Sequence, residues 1–450
     1  MTASGFLFFT FLNSPRADRT FGCQMNINDS QKMAGMLKSM GYEPTSDWQE
    51  ADVILVNTCS VREKPDQKVL SALGEFKKVK NKNPDAVIGV CGCLAQRAGY
   101  EILQKAPFID MVFGTTNIHH LPKLLEEAQA GNKAVEIIEE IDENETELDK
   151  YPTIRDNKYT AYVTIIRGCD KNCTYCIVPI TRGKERSRRI GEIIQEVQYL
   201  VEDGVKEIHL IGQNVTAYGK DLGDVKFWEL LYAVANVEGV ERIRFTTGHP
   251  RDLTEDIIKA MADIPQVCEA LHLPIQAGSD KILEAMDRGY TQKEYLEKIE
   301  LLKKYMPDIA LSTDIIVGFP GETYEDYLET VKVVKEVEYD QIFAFKYSPR
   351  PGTPAEKLPM TEDPKTLSKW LNDLINMQKD IAFKKNLAYE GKIVEVLVEE
   401  EKDGKLVGRT RTNKLVHFEG EHNLLGEIVN VEITKANRFS LEGKLAQVIA

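Results

Sequence analysis

The sequence predicts a three-part α/β protein: an N-terminal open parallel α/β sheet, a central partial (β/α)6 barrel and a small C-terminal β-barrel of OB-like type. Three observations carry this reading. Short apolar runs alternate with amphipathic helical patterns over roughly the first 135 residues. The alternation restarts near Tyr159 and repeats about six times. Beyond about residue 388 it gives way to short alternating strands without helices.

In the first segment, DVILVN (52–57), AVIGVCG (86–92) and DMVFG (110–114) are continuous apolar runs, the pattern of a strand buried on both faces. The helical patterns QKMAGMLKSMG and LPKLLEEAQAG each close on a glycine suited to a C-cap. The first twenty residues, MTASGFLFFTFLNSPRADRT, make a poor strand because Pro15 and the RADR turn interrupt them. The acidic stretch EIIEEIDENETELDK (136–150) has few large apolar residues and reads as a solvated linker. The expected divisions are therefore 1–135, a linker over 136–154, a core over 155–385 and a terminal barrel over 386–450.

In the core, TAYVTIIRG, KEIHLIGQN, RIRFTTG, ALHLPIQ, ALSTDIIVGF and QIFAFKYSP read as strands. Helical patterns such as IGEIIQEVQYLVEDG, TEDIIKAMADI and KEYLEKIELLKKY lie between them. Right-handed βα crossovers curl such a series into a barrel, with ligands at the carboxyl ends of the strands. After a helix over about 362–388, KIVEVLVEEE, KLVGRTRTN, KLVHFEG and GEIVNVEITKA supply the terminal strands.

Composition narrows the function. The 42% hydrophobic and 28% charged fractions are those of a soluble globular protein. With 57 basic and 71 acidic residues the net charge is −14, which argues against wholesale coating of nucleic acid and leaves room for local basic patches. The apolar FLFFTFL is short and lacks a preceding basic residue, and no run is long enough to span a membrane, so neither a signal peptide nor a membrane segment is expected. A cytoplasmic protein is the expectation, with its eight cysteines as metal ligands or buried thiols rather than disulfides.

CDKNCTYC places Cys169, Cys173 and Cys176 at spacings of four and three, directly after the first core strand. Three thiolates can hold a [4Fe–4S] cube and leave one iron open to a small molecule. A structural zinc site wants four ligands, and no fourth cysteine lies nearby; a partial zinc knuckle or redox thiols are the plainer alternatives. Gln213, Asn214, Gln276, Ser279 and Gly318 stand at other strand ends and are candidate cofactor contacts, although βα turns use the same residue types.

A second trio is spread along the first segment: Cys23 in FGCQMN, Cys59 in VNTCSVRE and Cys93 in GCLAQ. Cys59 and Cys93 follow strands, so if a strand also precedes Cys23 all three meet at the carboxyl edge of the sheet. Three separately buried thiols fit the spacing equally well.

CxxxCxxC on such a barrel resembles the radical S-adenosylmethionine (SAM) signature. GCQMN, NTCSVRE and GCLAQ resemble the three cysteine motifs of the methylthiotransferases, and the trailing barrel resembles their TRAM domain. NTCSVRE, GQNVTAYG, RFTTGHP, TDIIVGFPGET and YSPRPGTPA are similar to the MiaB branch of that family, which modifies tRNA; Gly248 stands where that branch more usually has Ser. The resemblance implies two [4Fe–4S] clusters, one on Cys169, Cys173 and Cys176 and an auxiliary one on Cys23, Cys59 and Cys93. It implies that SAM is cleaved by one electron to a 5′-deoxyadenosyl radical. The product implied is 2-methylthio-N6-isopentenyladenosine, made from N6-isopentenyladenosine at position 37 of the tRNA anticodon stem-loop. Cys91 and Cys268 match no motif and are expected to be structural. Threonylcarbamoyladenosine or a ribosomal-protein aspartate are alternative substrates, and an iron–sulfur carrier or RNA-binding module is an alternative of another class.

The terminal barrel holds 9 basic and 11 acidic residues from Asn386 to Ala450, and only the cluster of Arg409, Arg411 and Lys414 offers a phosphate grip. TRGKERSRR (181–189) is a second basic run, and Tyr218, Phe345 and Tyr347 are candidate base platforms more readily assigned to the core. Partners expected are tRNA, an electron donor and a sulfur donor, with no membrane and a monomeric chain.

Overall fold

The computed structural model describes residues 4–10, 18–19, 23–45, 47–59, 64–137, 151 and 153–446. The chain divides into two compact units. One holds the chain up to Asp156 together with Arg167–Asp170 and Ile177–Glu185; the other holds the rest. The expected linker lies mostly outside the described residues, from 138 to 150.

The first unit contains β1 (Ser4–Thr10), β2 (Asp18–Arg19), α1 (Gln24–Ser39), β3 (Glu43–Pro44), β4 (Val53–Thr58), α2 (Lys64–Lys82) and β5 (Val87–Gly92). It continues through α3 (Cys93–Lys105), β6 (Met111–Phe113), α4 (Leu121–Gln129) and β7 (Ala134–Glu136). Its sheet runs β2-β1-β4-β5-β6-β7, with β3 against β1. β4 to β7 are parallel, the first three where the apolar runs predict them: every residue of β4 and β5 is buried, which a sheet covered on both faces demands.

The amino edge differs from expectation in two ways. Ser4–Thr10 does form a strand, and it pairs antiparallel to β4 in the register Phe6↔Val56. Pro15 and the first half of the RADR turn lie beyond its end, outside the described residues, while Asp18–Arg19 form β2 and pair antiparallel with it.

The second unit opens on β8 (Thr160–Thr164). Next in the chain come β9 (Ile166–Arg167), α5 (Val178–Arg182) and β10 (Arg186–Ser187), of which Arg167 and α5 belong to the first unit. The barrel continues with α6 (Ile190–Glu202), β11 (Glu207–Ile211), α7 (Phe227–Ala235), β12 (Arg242–Phe245), α8 (Glu255–Asp263), β13 (Ala270–His272), α9 (Asp280–Ala285), α10 (Gln292–Tyr305), β14 (Ala310–Val317), α11 (Tyr324–Val337) and β15 (Gln341–Lys346). β8, β11 and β12 pair in parallel, as do β13, β14 and β15, and Ile243 bridges to Val267 between the two sets. Six parallel strands thus follow one another in chain order, the partial barrel that the alternation predicts. Helix starts are set locally. Thr291 and Thr323 accept the N3 amides of α10 and α11, while Glu294 and Asp326 reach back to the capping amides.

α12 (Pro364–Leu387) leads into a closed five-stranded barrel in the order β16 (Ile393–Lys402), β17 (Lys405–Thr410), β18 (Leu415–Glu419), β20 (Leu441–Leu445), β19 (Ile428–Ala436). Sequence patterning marks four of these strands. The fifth, LEGKL, is short and carries Gly443 where β19 passes close: a Cβ there would stand 2.4 Å from Val431 Cγ1.

Candidate metal centres at the strand ends

In the first unit, Cys23 caps α1, Cys59 directly follows β4 and Cys93 opens α3. Two of these thiols therefore stand at helix N-termini, where the backbone dipole favours the thiolate a metal requires. A hydrogen bond with Cys59 and the nearby Arg182 charge hold the Cys23 thiol down at about 6. Burial pushes the Cys93 thiol up, with Arg182 opposing it both by charge and by a hydrogen bond.

The asparagines of the same motifs knit these loops together. Asn26 Nδ2 donates to Asn57 Oδ1 (3.0 Å) and to the Thr58 carbonyl (3.1 Å); Asn57 Nδ2 returns a bond to the Asn26 carbonyl (2.9 Å). Thr58 Oγ1 donates to the Cys91 carbonyl at 2.6 Å. Gln96 of GCLAQ accepts from the Thr115 amide. Sequence reasoning named only the cysteines, although the polar residues repeated beside them in CQMN and NTC were a usable signal.

Two residues apart on one strand, Cys91 and Cys93 would share a face, but β5 ends between them and Cys93 is already helical. Cys91 is fully buried with its thiol 3.7 Å from Met33 Sδ, inside the apolar core. Cys268 is likewise buried, and burial pushes its thiol up to about 11.

The segment that carries the CxxxCxxC motif contributes to both units. In the first, Gly168 has φ +75° and a Cβ on it would stand 2.0 Å from the Lys184 carbonyl, so only glycine fits. The Cys169 amide donates to the Gly183 carbonyl (3.1 Å), and Asp170 Oδ1 accepts from the Glu185 amide (3.0 Å). Arg182 Nη2 donates to Asp29 Oδ2 at 2.7 Å, and Arg167 Nη1 lies 3.5 Å from Asp29 Oδ1; all three side chains are buried.

In the second unit, Cys173 and Cys176 form a turn closed by the Cys176 amide and the Cys173 carbonyl (2.9 Å). Thr174 clamps this turn to the segment after α9 through the Met286 carbonyl (3.1 Å) and the Ala285 carbonyl (2.9 Å). That segment brings Arg288 Nη1 to 3.2 Å from Cys173 Sγ.

Among the described residues no three His, Cys, Asp or Glu side chains are drawn together tightly enough to hold a metal ion. The chemistry around them still fits an anionic thiolate cluster. Arg288 is 5% exposed, and its charge has no carboxylate partner among the described residues, so a buried anion at Cys173 would balance it.

The remaining strand-end candidates are ordered. Asn214 donates to Asp252 Oδ2 (2.6 Å), which Lys171 of CDKNC also holds at 2.9 Å and Lys220 shares. Gln213 is half-buried one residue before it. Gln276 has φ +74°, a strained position for a non-glycine residue at the end of a barrel strand. Ser279 Oγ donates to Asp326 Oδ1 at 2.6 Å. Gly318 has φ +79°, and a Cβ there would stand 2.6 Å from the Leu367 side chain. His249, not singled out from sequence, is buried. Its Nδ1 accepts from the Arg251 amide, and among the described residues its Nε2 has no hydrogen-bond partner. Burial and the Arg288 charge push its pKa down to about 2, so the ring stays neutral. A Ser Cβ at position 248 would meet Thr216 Cγ2 at 3.1 Å, a tight fit.

The three residues expected to grip phosphate have carboxylate partners in their own unit: Arg409 with Glu399 (3.6 Å), Arg411 with Glu269 (2.8 Å) and Lys414 with Asp340 (2.7 Å). Tyr218 and Tyr347 are buried, each donating its hydroxyl to a backbone carbonyl, and serve the core. No described helix is long and apolar enough to cross a membrane.

Three family models match the chain: the uncharacterized protein family UPF0004 over residues 17–114, the radical SAM superfamily over 163–334 and the TRAM domain over 387–446. A relative from Sulfurihydrogenibium sp. (strain YO3AOP1) is 81% identical over 428 residues, covering 95% of this chain and 98% of that one. One from Aquifex aeolicus (strain VF5) is 60% identical, covering 96% and 98%. Both are named tRNA-2-methylthio-N(6)-dimethylallyladenosine synthase. Among solved structures, the radical SAM methyltransferase TsrM from Kitasatospora setae shares the fold, with a TM-score of 0.56 at 14% identity over 73% of this chain and 72% of that one. Radical SAM proteins carry a [4Fe–4S] cluster and SAM, which agrees with the thiol-and-guanidinium chemistry at Cys173. The chain is a radical SAM enzyme belonging to the family of the tRNA-2-methylthio-N(6)-dimethylallyladenosine synthases.

Proposed function

We propose that this chain methylthiolates C2 of N6-isopentenyladenosine at position 37 of the tRNA anticodon stem-loop, using two [4Fe–4S] clusters and SAM. The observation that carries the reading is 81% identity over 95% of this chain to a named synthase, in a sequence that holds both cysteine trios. Cys169, Cys173 and Cys176 would hold the cluster that binds SAM, and Cys23, Cys59 and Cys93 the auxiliary cluster. When bound, these groups would supply a 5′-deoxyadenosyl radical and the sulfur to be transferred, with one SAM consumed for the radical and another for the methyl group.

The protein's own part is placement. Gln213, Asn214, Gln276, Ser279 and Gly318 stand at the strand ends where a barrel presents its ligand, and the Asp252 network holds Asn214 and Lys171 in fixed positions. The neutral His249 ring keeps a buried N–H donor available to a nitrogen or oxygen acceptor. The Asn26–Asn57 pair fixes the loops of Cys23 and Cys59 against each other. A low-potential electron donor and a sulfur donor complete the reaction, in the cytoplasm and with the chain as a monomer.

The test is mass spectrometry of tRNA nucleosides from cells with and without the protein. Loss of 2-methylthio-N6-isopentenyladenosine on deletion is expected. An unchanged level, or loss of a methylthiolated threonylcarbamoyladenosine instead, would sink the proposal.

A further inference from the structure

We infer that Arg288 is a positioning residue that sets the reduction potential of the cluster on Cys169, Cys173 and Cys176, by a charge-assisted N–H···S bond to Cys173. The inference rests on the cofactor reading above and assigns a role to a residue that does not ligate metal.

Each arm of the guanidinium is fixed. Nε donates to Tyr290 Oη at 3.0 Å, Nη2 to the Pro274 carbonyl at 2.9 Å, and Nη1 to Cys173 Sγ at 3.2 Å with Tyr175 Oη at 3.4 Å. Tyr290 is itself anchored, donating to the Ile275 carbonyl at 2.8 Å. The sulfur is held just as firmly, because Thr174 ties the cysteine turn to residues 285 and 286 beside the arginine. Donor and acceptor are thus locked into one frame at the carboxyl end of β13.

The charge balance gives the sign. Arg288 is buried, and among the described residues its partners are two phenols, a carbonyl and a thiol, with no carboxylate to neutralise it. A positive charge and an N–H donor at a cluster sulfur favour the more negative, reduced form. The cluster takes one electron from a low-potential donor, while Arg288 keeps its proton and its charge throughout. Arg182 stands in a different situation, since Asp29 offsets its charge at 2.7 Å.

The experiment is a potentiometric titration, followed by electron paramagnetic resonance, of the anaerobically reconstituted full chain. A Cys59→Ala background removes signal from an auxiliary cluster. Arg288→Gln is expected to lower the midpoint potential by the equivalent of a tenfold or greater loss in the reduction equilibrium, about 59 mV for one electron. Arg288→Lys, which keeps the charge but loses the planar fork, should shift it the same way by less. A cluster-bearing Arg288→Gln protein with an unchanged or raised potential overturns the inference. Should that variant fail to assemble a cluster, an unchanged potential in Arg288→Lys overturns it instead. Wild-type protein that makes the tRNA product while the variants keep its potential sinks this inference alone. Wild-type protein that assembles no SAM-responsive cluster sinks the cofactor reading along with it.

Discussion

Arg411 grips Glu269 with two edges of its guanidinium, Nε to Oε2 and Nη2 to Oε1, each at 2.8 Å. Nη2 also donates to the Val267 carbonyl at 2.7 Å. Nearby, Arg244 donates to the carbonyls of Thr410 and Arg411, and Arg242 to Glu395. A run that looks like a phosphate grip in sequence therefore fastens the terminal barrel to β12 and the approach to β13. The pair is partly exposed, so its worth is discounted for solvent screening. We expect Arg411→Ala to destabilise the chain by about 1–2 kcal/mol. A double-mutant cycle with Glu269→Ala, read by denaturant unfolding, should show coupling. Unchanged stability with a reduced salt dependence of tRNA binding would restore the phosphate role.

Asp29 is a stronger case, because it is buried and shared by Arg167 and Arg182. Asp29→Ala strands two guanidiniums away from water. A loss of about 3–5 kcal/mol is expected in chemical denaturation. A loss below about 1 kcal/mol would show that water or another anion reaches the site.

Cys91 and Cys93 are neighbours with different environments, and substitution should separate them. Cys91→Ala removes a thiol from an apolar core and should cost about 1 kcal/mol while leaving methylthiolation intact. Cys93→Ala should abolish methylthiolation yet leave SAM cleavage measurable as 5′-deoxyadenosine. Retained product from Cys93→Ala would remove that residue from the proposed ligand set.

Glu322 predicts a pH dependence of stability. Burial pushes its carboxyl up to about 7, although the Gly318 amide that it accepts works the other way. The folded pKa lies above the ordinary glutamate value of 4.5, so the group's contribution is full below about 4.5 and is lost as pH rises through about 7. The loss amounts to roughly 3 kcal/mol. Glu322→Gln should flatten the stability profile across that window. A parallel profile in the variant would place the titration elsewhere.

What could be read from sequence follows from the range of the forces involved. VILVNT and VIGVCG announce buried parallel strands because each residue needs only the local rule that both faces are covered. The cysteine trios are legible through spacing and motif. β1 was not, since its partner β4 is more than forty residues away and nothing local fixes its direction. Arg288 and Arg182 were hidden for the same reason: their partners Cys173 and Asp29 are 115 and 153 residues distant in the chain. Long-range polar pairing has no period, so it leaves no pattern to find. Arg409, Arg411 and Lys414 are the converse case, where a local charge run suggested a phosphate grip and the fold also supplies carboxylates.

The first unit borrows residues 167–170 and 177–185 from beyond its own stretch of chain, and with them the two arginines that neutralise Asp29. A ribosome releases the amino-terminal sheet first, at about 5–20 residues per second. Among the described residues, the two arginines that pair with its buried Asp29 carboxylate come only from the later segment around Arg182. The ion pairs of Asp29 can therefore close only after the segment that carries Cys169 has been made, so completion of the first unit waits on chain that lies beyond its own stretch.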